Sequence, residues 1–101
     1  MKVQVHSIKF NADVKLLEFI QKKLDKLDTF YDRIVDSEVY LRLNNQSTVN
    51  KTVEIKLNIP GSQLFSKEIS KTFEEATDTA VESLKRQLTK HKEKLQRYKH
   101  V

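Results

Sequence analysis

Apolar and polar positions alternate at the start of the chain. Val3, Val5 and Ile8 stand among Lys2, Gln4 and Lys9. A period of two predicts a strand over residues 2–9 with one buried face. The period then changes. From Asp13 to about Asp28 the apolar positions are Leu16, Leu17, Ile20, Leu24 and Leu27, spaced by three and four. That spacing predicts an amphipathic helix. Asn11 is the expected N-cap, and Asp13 falls in the first turn, where the helix dipole favours an acid. The other sides of this helix carry Lys15, Lys22, Lys23 and Lys26.

Alternation returns twice. Val39, Leu41 and Leu43 share one strand face, and Val53, Ile55, Leu57 and Ile59 share another. The polar stretch from Asn44 to Asn50 reads as the hairpin loop between them. Pro60-Gly61 makes the next turn, and a short strand over about Gln63 to Ser70 follows. Strands joined by such short connections pair antiparallel. Thr72, with Glu75 three residues on, opens the last helix as a capping box. Its apolar stripe runs Phe73, Ala76, Ala80, Leu84, Leu88, Leu95 and Tyr98, with Val81 beside it. Some 25 helical residues span about 37 Å. A four-stranded sheet does not cover all of that, so the last turns are expected to project beyond it or fray. The order is β-α-β-β-β-α. The fold class is α+β with two layers, both helices packing on one face of a four-stranded sheet, in a single domain over residues 1–101.

Composition adds charge to this picture. A third of the residues are charged and 38% are hydrophobic, in a chain of 101 with no cysteine. A disulfide framework and thiolate chemistry are thereby excluded. No apolar run approaches a membrane span, and the first residues lack a signal-peptide core, so a soluble, cytoplasmic protein is expected. The net charge of +5 is concentrated at one end. Residues 84 to 100 hold seven basic side chains against the single acid Glu93, a net of +6. The rest holds twelve against thirteen, a net of −1. Such asymmetry points to a polyanionic partner.

Glu74, Glu75, Asp78 and Glu82 lie in the first half of the last helix, and Lys85, Arg86, Lys90, Lys92, Lys94, Arg97 and Lys99 in the second. Matching the helix dipole accounts for two or three cations in the last turn. Seven repel one another at pairs such as Arg86/Lys90 and Lys90/Lys94. A polyanion that neutralises them explains the excess better than dipole matching does. Helical angles turn Arg86, Lys90 and Arg97 away from the sheet, Lys85 and Lys92 to one flank and Lys94 to the other. Lys22, Lys23 and Lys26 join one flank if the helices lie side by side, giving a basic surface suited to closely spaced phosphates.

Other chemistry is poorly supported. His6, His91 and His100 have no ligand-like spacing, so no metal is expected. No catalytic arrangement suggests itself, and one glycine cannot build a phosphate-cradling loop. No cofactor and no enzymatic activity are expected. Phe10, Phe19, Phe30, Phe65 and Phe73 are read as core or edge packing, and Tyr31, Tyr40 and Tyr98 as core-margin residues.

The stretches "KKLDKLDTFYDRI" (22–34) and "FEEATDTAVESLKRQLTKHKEKL" (73–95), with "RQLTKHKEK" (86–94) the most specific part, resemble the ribosome hibernation-promoting factor family, also called ribosome-associated inhibitors. The resemblance covers essentially the whole chain. It implies the same β-α-β-β-β-α fold. It also implies binding to the small ribosomal subunit in the channel of mRNA and the A- and P-site tRNAs, and translation inhibition by occlusion in resting cells. RNA contact carries over to Lys23 and Lys26 on the first helix and to Lys85, Arg86, Lys90, Lys92 and Lys94 on the second, with Lys22 and Arg97 beside them. Long members bear a further domain that dimerises ribosomes, and one short type bears an acidic tail. With neither feature in this sequence, the short, hibernation-assisting form is expected. Dependence on a second small factor for ribosome dimerisation stays open.

Two rivals compete. A double-stranded-RNA-binding domain also sets two helices on a sheet, but it begins with a helix and its basic cluster opens the second one. A membrane-surface or protein-partner segment over residues 84–99 would need its apolar stripe free.

Overall fold

The computed structural model describes residues 1–44 and 47–99, with side chains as far as Gln96. Six elements follow in order: β1 (Lys2–Ile8), α1 (Val14–Phe30), β2 (Asp36–Leu43), β3 (Lys51–Ile59), β4 (Ser62–Ser70) and α2 (Phe73–Lys99). They form a four-stranded sheet in the order β1-β2-β3-β4 with both helices on one face. β2, β3 and β4 pair antiparallel in succession. β1 pairs with β2 in parallel, Val5 beside Val39. A parallel pair needs a long crossover, and α1 is that crossover.

The α1 N-cap is Asp13, not Asn11. Asp13 has extended backbone, and its carboxylate accepts a hydrogen bond from the Leu16 amide at 2.8 Å. Phe10, just before this start, packs against α2. Its ring stacks on Phe73 of α2, with centroids 5.2 Å apart. The chain reaches that contact through Lys9, whose φ of 66° is unusual for a residue with a side chain. α1 also runs to Phe30, two residues past the expected end. At the other helix, Thr72 caps as expected, accepting from the Glu75 amide at 3.0 Å, while the Glu75 carboxylate turns to the Ser70 hydroxyl. In the Pro60-Gly61 turn, Gly61 takes a φ of 74°, the left-handed conformation that this turn requires.

The core lies between the layers. Ile20, Leu24 and Leu27 of α1 and Ala76, Ala80, Leu84 and Leu88 of α2 meet Val39, Leu41, Val53, Ile55 and Leu57 of the sheet. Ala76 and Ala80 let α2 approach closely over β3 and β4. Burial of the stripe stops at Leu88, and Leu95 is 40% exposed. The expected projection is therefore present, but it is held for one more turn. Lys92 donates to the Phe30 carbonyl at 3.2 Å, and the His91 ring meets Tyr31 edge-on. Tyr31 itself is buried. Among the described residues, no layer covers the opposite sheet face. Phe65, expected to pack, points there and is 47% exposed.

Candidate nucleic-acid interface

The repeat that buries Ile20, Leu24 and Leu27 turns Lys23, Lys26 and Phe30 to the side of α1 that faces α2. Likewise, the repeat that buries Ala80, Leu84 and Leu88 turns Asp78, Glu82 and Lys85 toward α1. Between them runs an open groove. Lys23 crosses it to Asp78, Nζ to Oδ1 2.9 Å, and also lies over the Phe19 ring. Further along, Phe30 gathers two cations from α2. The Lys85 ammonium lies 5.5 Å from its ring centroid and the Lys92 ammonium 4.5 Å. Cations are drawn to the negative face of an aromatic ring. Lys92 also satisfies one of the carbonyls left free at the C-terminal end of α1, the negative end of that helix's dipole.

The other flank of α2 is fixed by Gln87, whose amide donates to the Phe65 carbonyl of β4 at 2.9 Å. Arg86, Lys90 and Lys94 emerge around this flank and the outer surface, all exposed. Among the described residues, no acid lies within ion-pair distance of Lys26, Lys85, Arg86, Lys90, Lys92 or Lys94. Close packing of like charges without counter-charge is costly, and phosphates relieve it. The groove is not uniformly positive. Asp78 and Glu82 balance it near the start of α2, and the surplus grows toward the C-terminal turns.

Eight of the nine anticipated cations can thus be located. Lys23, Lys26, Lys85 and Lys92 meet at the groove, and Arg86, Lys90 and Lys94 surround the outer side of α2. Lys22 does not join them. It lines a separate shallow depression with Lys15, Glu18 and Asp25. Arg97 falls in the last turn of α2, and its side chain is outside the described residues. Two residues escaped the sequence reading. Phe30 is a platform for two lysines, which its spacing of seven and four from Lys23 and Lys26 could have indicated. Arg33, exposed beside Lys92, lies in a connection with no periodicity to point to it.

Neither rival fits this arrangement. The fold begins with a strand that belongs to the sheet, unlike a double-stranded-RNA-binding domain. The stripe from Phe73 to Leu88 is buried in the core and is not free for a membrane. No helix among the described residues is long and apolar enough to span one.

Comparison with known proteins bears on the family and the fold. The ribosome hibernation promoting factor of Escherichia coli K12 is 34% identical over 83 residues, 82% of this chain and 84% of that protein. Its counterpart from Klebsiella oxytoca is 28% identical over 98 residues, covering 97% and 98% of the two chains. Among solved structures, a ribosomal subunit interface protein from Coxiella burnetii superposes with a TM-score of 0.82 at 24% identity, over 91% of this chain and 98% of that one. The N-terminal domain of Thermus thermophilus Protein Y gives 0.79 at 23% identity, over 90% and 99%. These two share the fold. The profile of one family, described as Sigma 54 modulation protein / S30EA ribosomal protein, matches residues 3–96. The chain belongs to that family, with the ribosome hibernation promoting factors among its relatives.

Proposed function

We propose that this protein is a ribosome hibernation factor, acting in the cytoplasm as a single ribosome-binding domain. It binds the small ribosomal subunit through the basic faces of α1 and α2 on ribosomal RNA. It inhibits translation by filling the channel of mRNA and the A- and P-site tRNAs. The observation that carries this reading is the set of cations without acidic partners on two adjoining helices, Lys26, Lys85, Arg86, Lys90, Lys92 and Lys94. Phosphates spaced along folded RNA suit such a surface, and each one neutralised contributes to affinity by releasing counterions. The family supports a ribosomal partner. Inhibition by occupancy asks for no reaction. The protein should act stoichiometrically and leave RNA intact.

Sedimentation with purified small subunits tests the proposal. Binding should fall steeply as salt rises, and prebound mRNA and P-site tRNA should weaken it. Full binding alongside occupied A and P sites would move the protein elsewhere on the ribosome. Cleaved ribosomal RNA after a salt wash would refute occlusion.

A further inference from the structure

Past the end of the core, where α2 leaves the sheet, there is a depression between the last turn of α1, the connection that follows it and α2. Phe30, Tyr31 and Leu95 form its apolar floor, and Arg33, Lys92 and Gln96 stand around it with one acid, Asp32. We propose that this depression takes one unpaired nucleotide of the bound RNA, its base on Phe30 and Leu95 and its phosphate on Arg33 and Lys92. The proposal rests on the RNA-binding reading above and adds a base contact to it.

Three observations support it. The first is Leu95, which continues the apolar stripe of α2 yet is 40% exposed. An apolar side chain set among cations suits a ligand both apolar and anionic. A nucleotide has that combination, and a base paired in a duplex offers no free face. The second is the state of the Phe30 ring. Lys92 and Lys85 lie over it on flexible side chains, with nothing acidic holding them. A phosphate attracts an ammonium more strongly than a partly exposed ring does, because a charge-assisted hydrogen bond outweighs a cation–π contact. Lysines that turn to phosphates therefore bare the ring, and a base can stack in their place. The third is charge. The C-terminal end of a helix repels anions, but the Lys92 ammonium stands at that end and offsets the field whether it meets the Phe30 carbonyl or a phosphate beside it. With Arg33 added, two cations face one acid. This balance favours a phosphodiester over an uncharged protein side chain.

The test compares two strands with equal numbers of phosphates. One is a single-stranded RNA of roughly ten nucleotides, about the footprint of a small single-strand-binding domain, carrying 2-aminopurine. The other has the same backbone with every base replaced by an abasic spacer. The full chain should bind the base-bearing strand about tenfold tighter at one salt concentration, which corresponds to about 1.4 kcal/mol. Their salt dependences should match, because the phosphates do. The 2-aminopurine fluorescence should be quenched on binding. Leu95→Ser, at an exposed position that leaves the core intact, should abolish most of the difference. Phe30→Trp should preserve it, and circular dichroism should report a folded protein in both cases. Equal affinity for the two strands would overturn the pocket while leaving the electrostatic grip in place. Failure to bind either strand would also overturn it, and sedimentation with small subunits would then decide the RNA-binding reading separately.

Discussion

Two faces of this molecule carry cations, and they treat them differently. On the uncovered sheet face, Arg42 pairs with Glu54, and Lys67 approaches the same carboxylate at 3.7 Å. Arg42 and Lys56 also lie over the Tyr40 ring, which stacks on His6 with centroids 4.8 Å apart. Cross-strand neighbours of opposite charge satisfy each other there, as pairing in a sheet allows. On the helical face, Lys26, Lys85, Arg86, Lys90 and Lys94 have no acid within ion-pair distance among the described residues. The number of positive charges therefore says little about where a polyanion binds. What matters is whether the fold has already neutralised them.

The comparison is broken or upheld most directly by removing each set of cations. Arg86→Ala, Lys90→Ala and Lys94→Ala together should lower the salt slope of small-subunit binding by about two to three, at roughly 0.7 to 0.9 per lost phosphate contact. The melting temperature should change little, because exposed substitutions of this kind alter stability by about 0.5 kcal/mol or less each. Arg42→Ala with Lys67→Ala on the sheet face should leave the slope as it was. Equal losses from the two sets would abolish the distinction.

Lys92 stands between the two cases, since the fold uses it and it also faces the groove. Lys92→Met keeps the packing on Phe30 but removes the charge from the end of α1. Thermal melting should register a loss of about 1 kcal/mol, the usual scale for a cation at a helix C-terminus, together with a smaller drop in salt slope than the triple variant gives.

Glu54→Gln tests the sheet face in the opposite sense. It frees Arg42 and Lys67 without changing shape. Affinity for heparin or RNA should rise by less than tenfold, measured at low salt, and stability should fall by about 1 kcal/mol or less.

The smallest expected effect concerns Tyr40. Its phenol donates to Glu38 at 2.7 Å, and this hydrogen bond, with burial next, raises its pKa above the usual 10. A raised folded-state pKa stabilises the fold below about pH 10 and ceases to do so as pH climbs through the folded value. Ultraviolet titration should detect a tyrosine ionising above pH 10, and Glu38→Gln should lower its pKa.

Much of this was readable in the sequence, for reasons that particular residues make plain. Periodicity located the core-facing side of each helix. The same rotation then placed Lys23, Lys26, Lys85 and Lys92 toward the groove. What escaped depended on contacts between residues distant in the chain. Asn11 and Asp13 are both good caps, and the helix starts at the second, beyond a Phe10 that stacks on the distant Phe73. In β4, Leu64 and Phe65 are adjacent apolar residues, so alternation alone could not tell which one faces the core. The register with β3 decides, pairing Leu64 with Leu57 and Phe65 with Lys56.

The parallel pairing of β1 with β2 has a kinetic consequence. Lys2 sits beside Asp36, while β2, β3 and β4 fold back on their immediate neighbours. Hairpins close short loops and form early, whereas β1 must wait for the whole of α1 and then for β2. β1 is thus among the last strands to gain its place, held finally by one neighbour in the sheet. Pulse-labelled hydrogen exchange during refolding should find the β3 amides protected before those of β1.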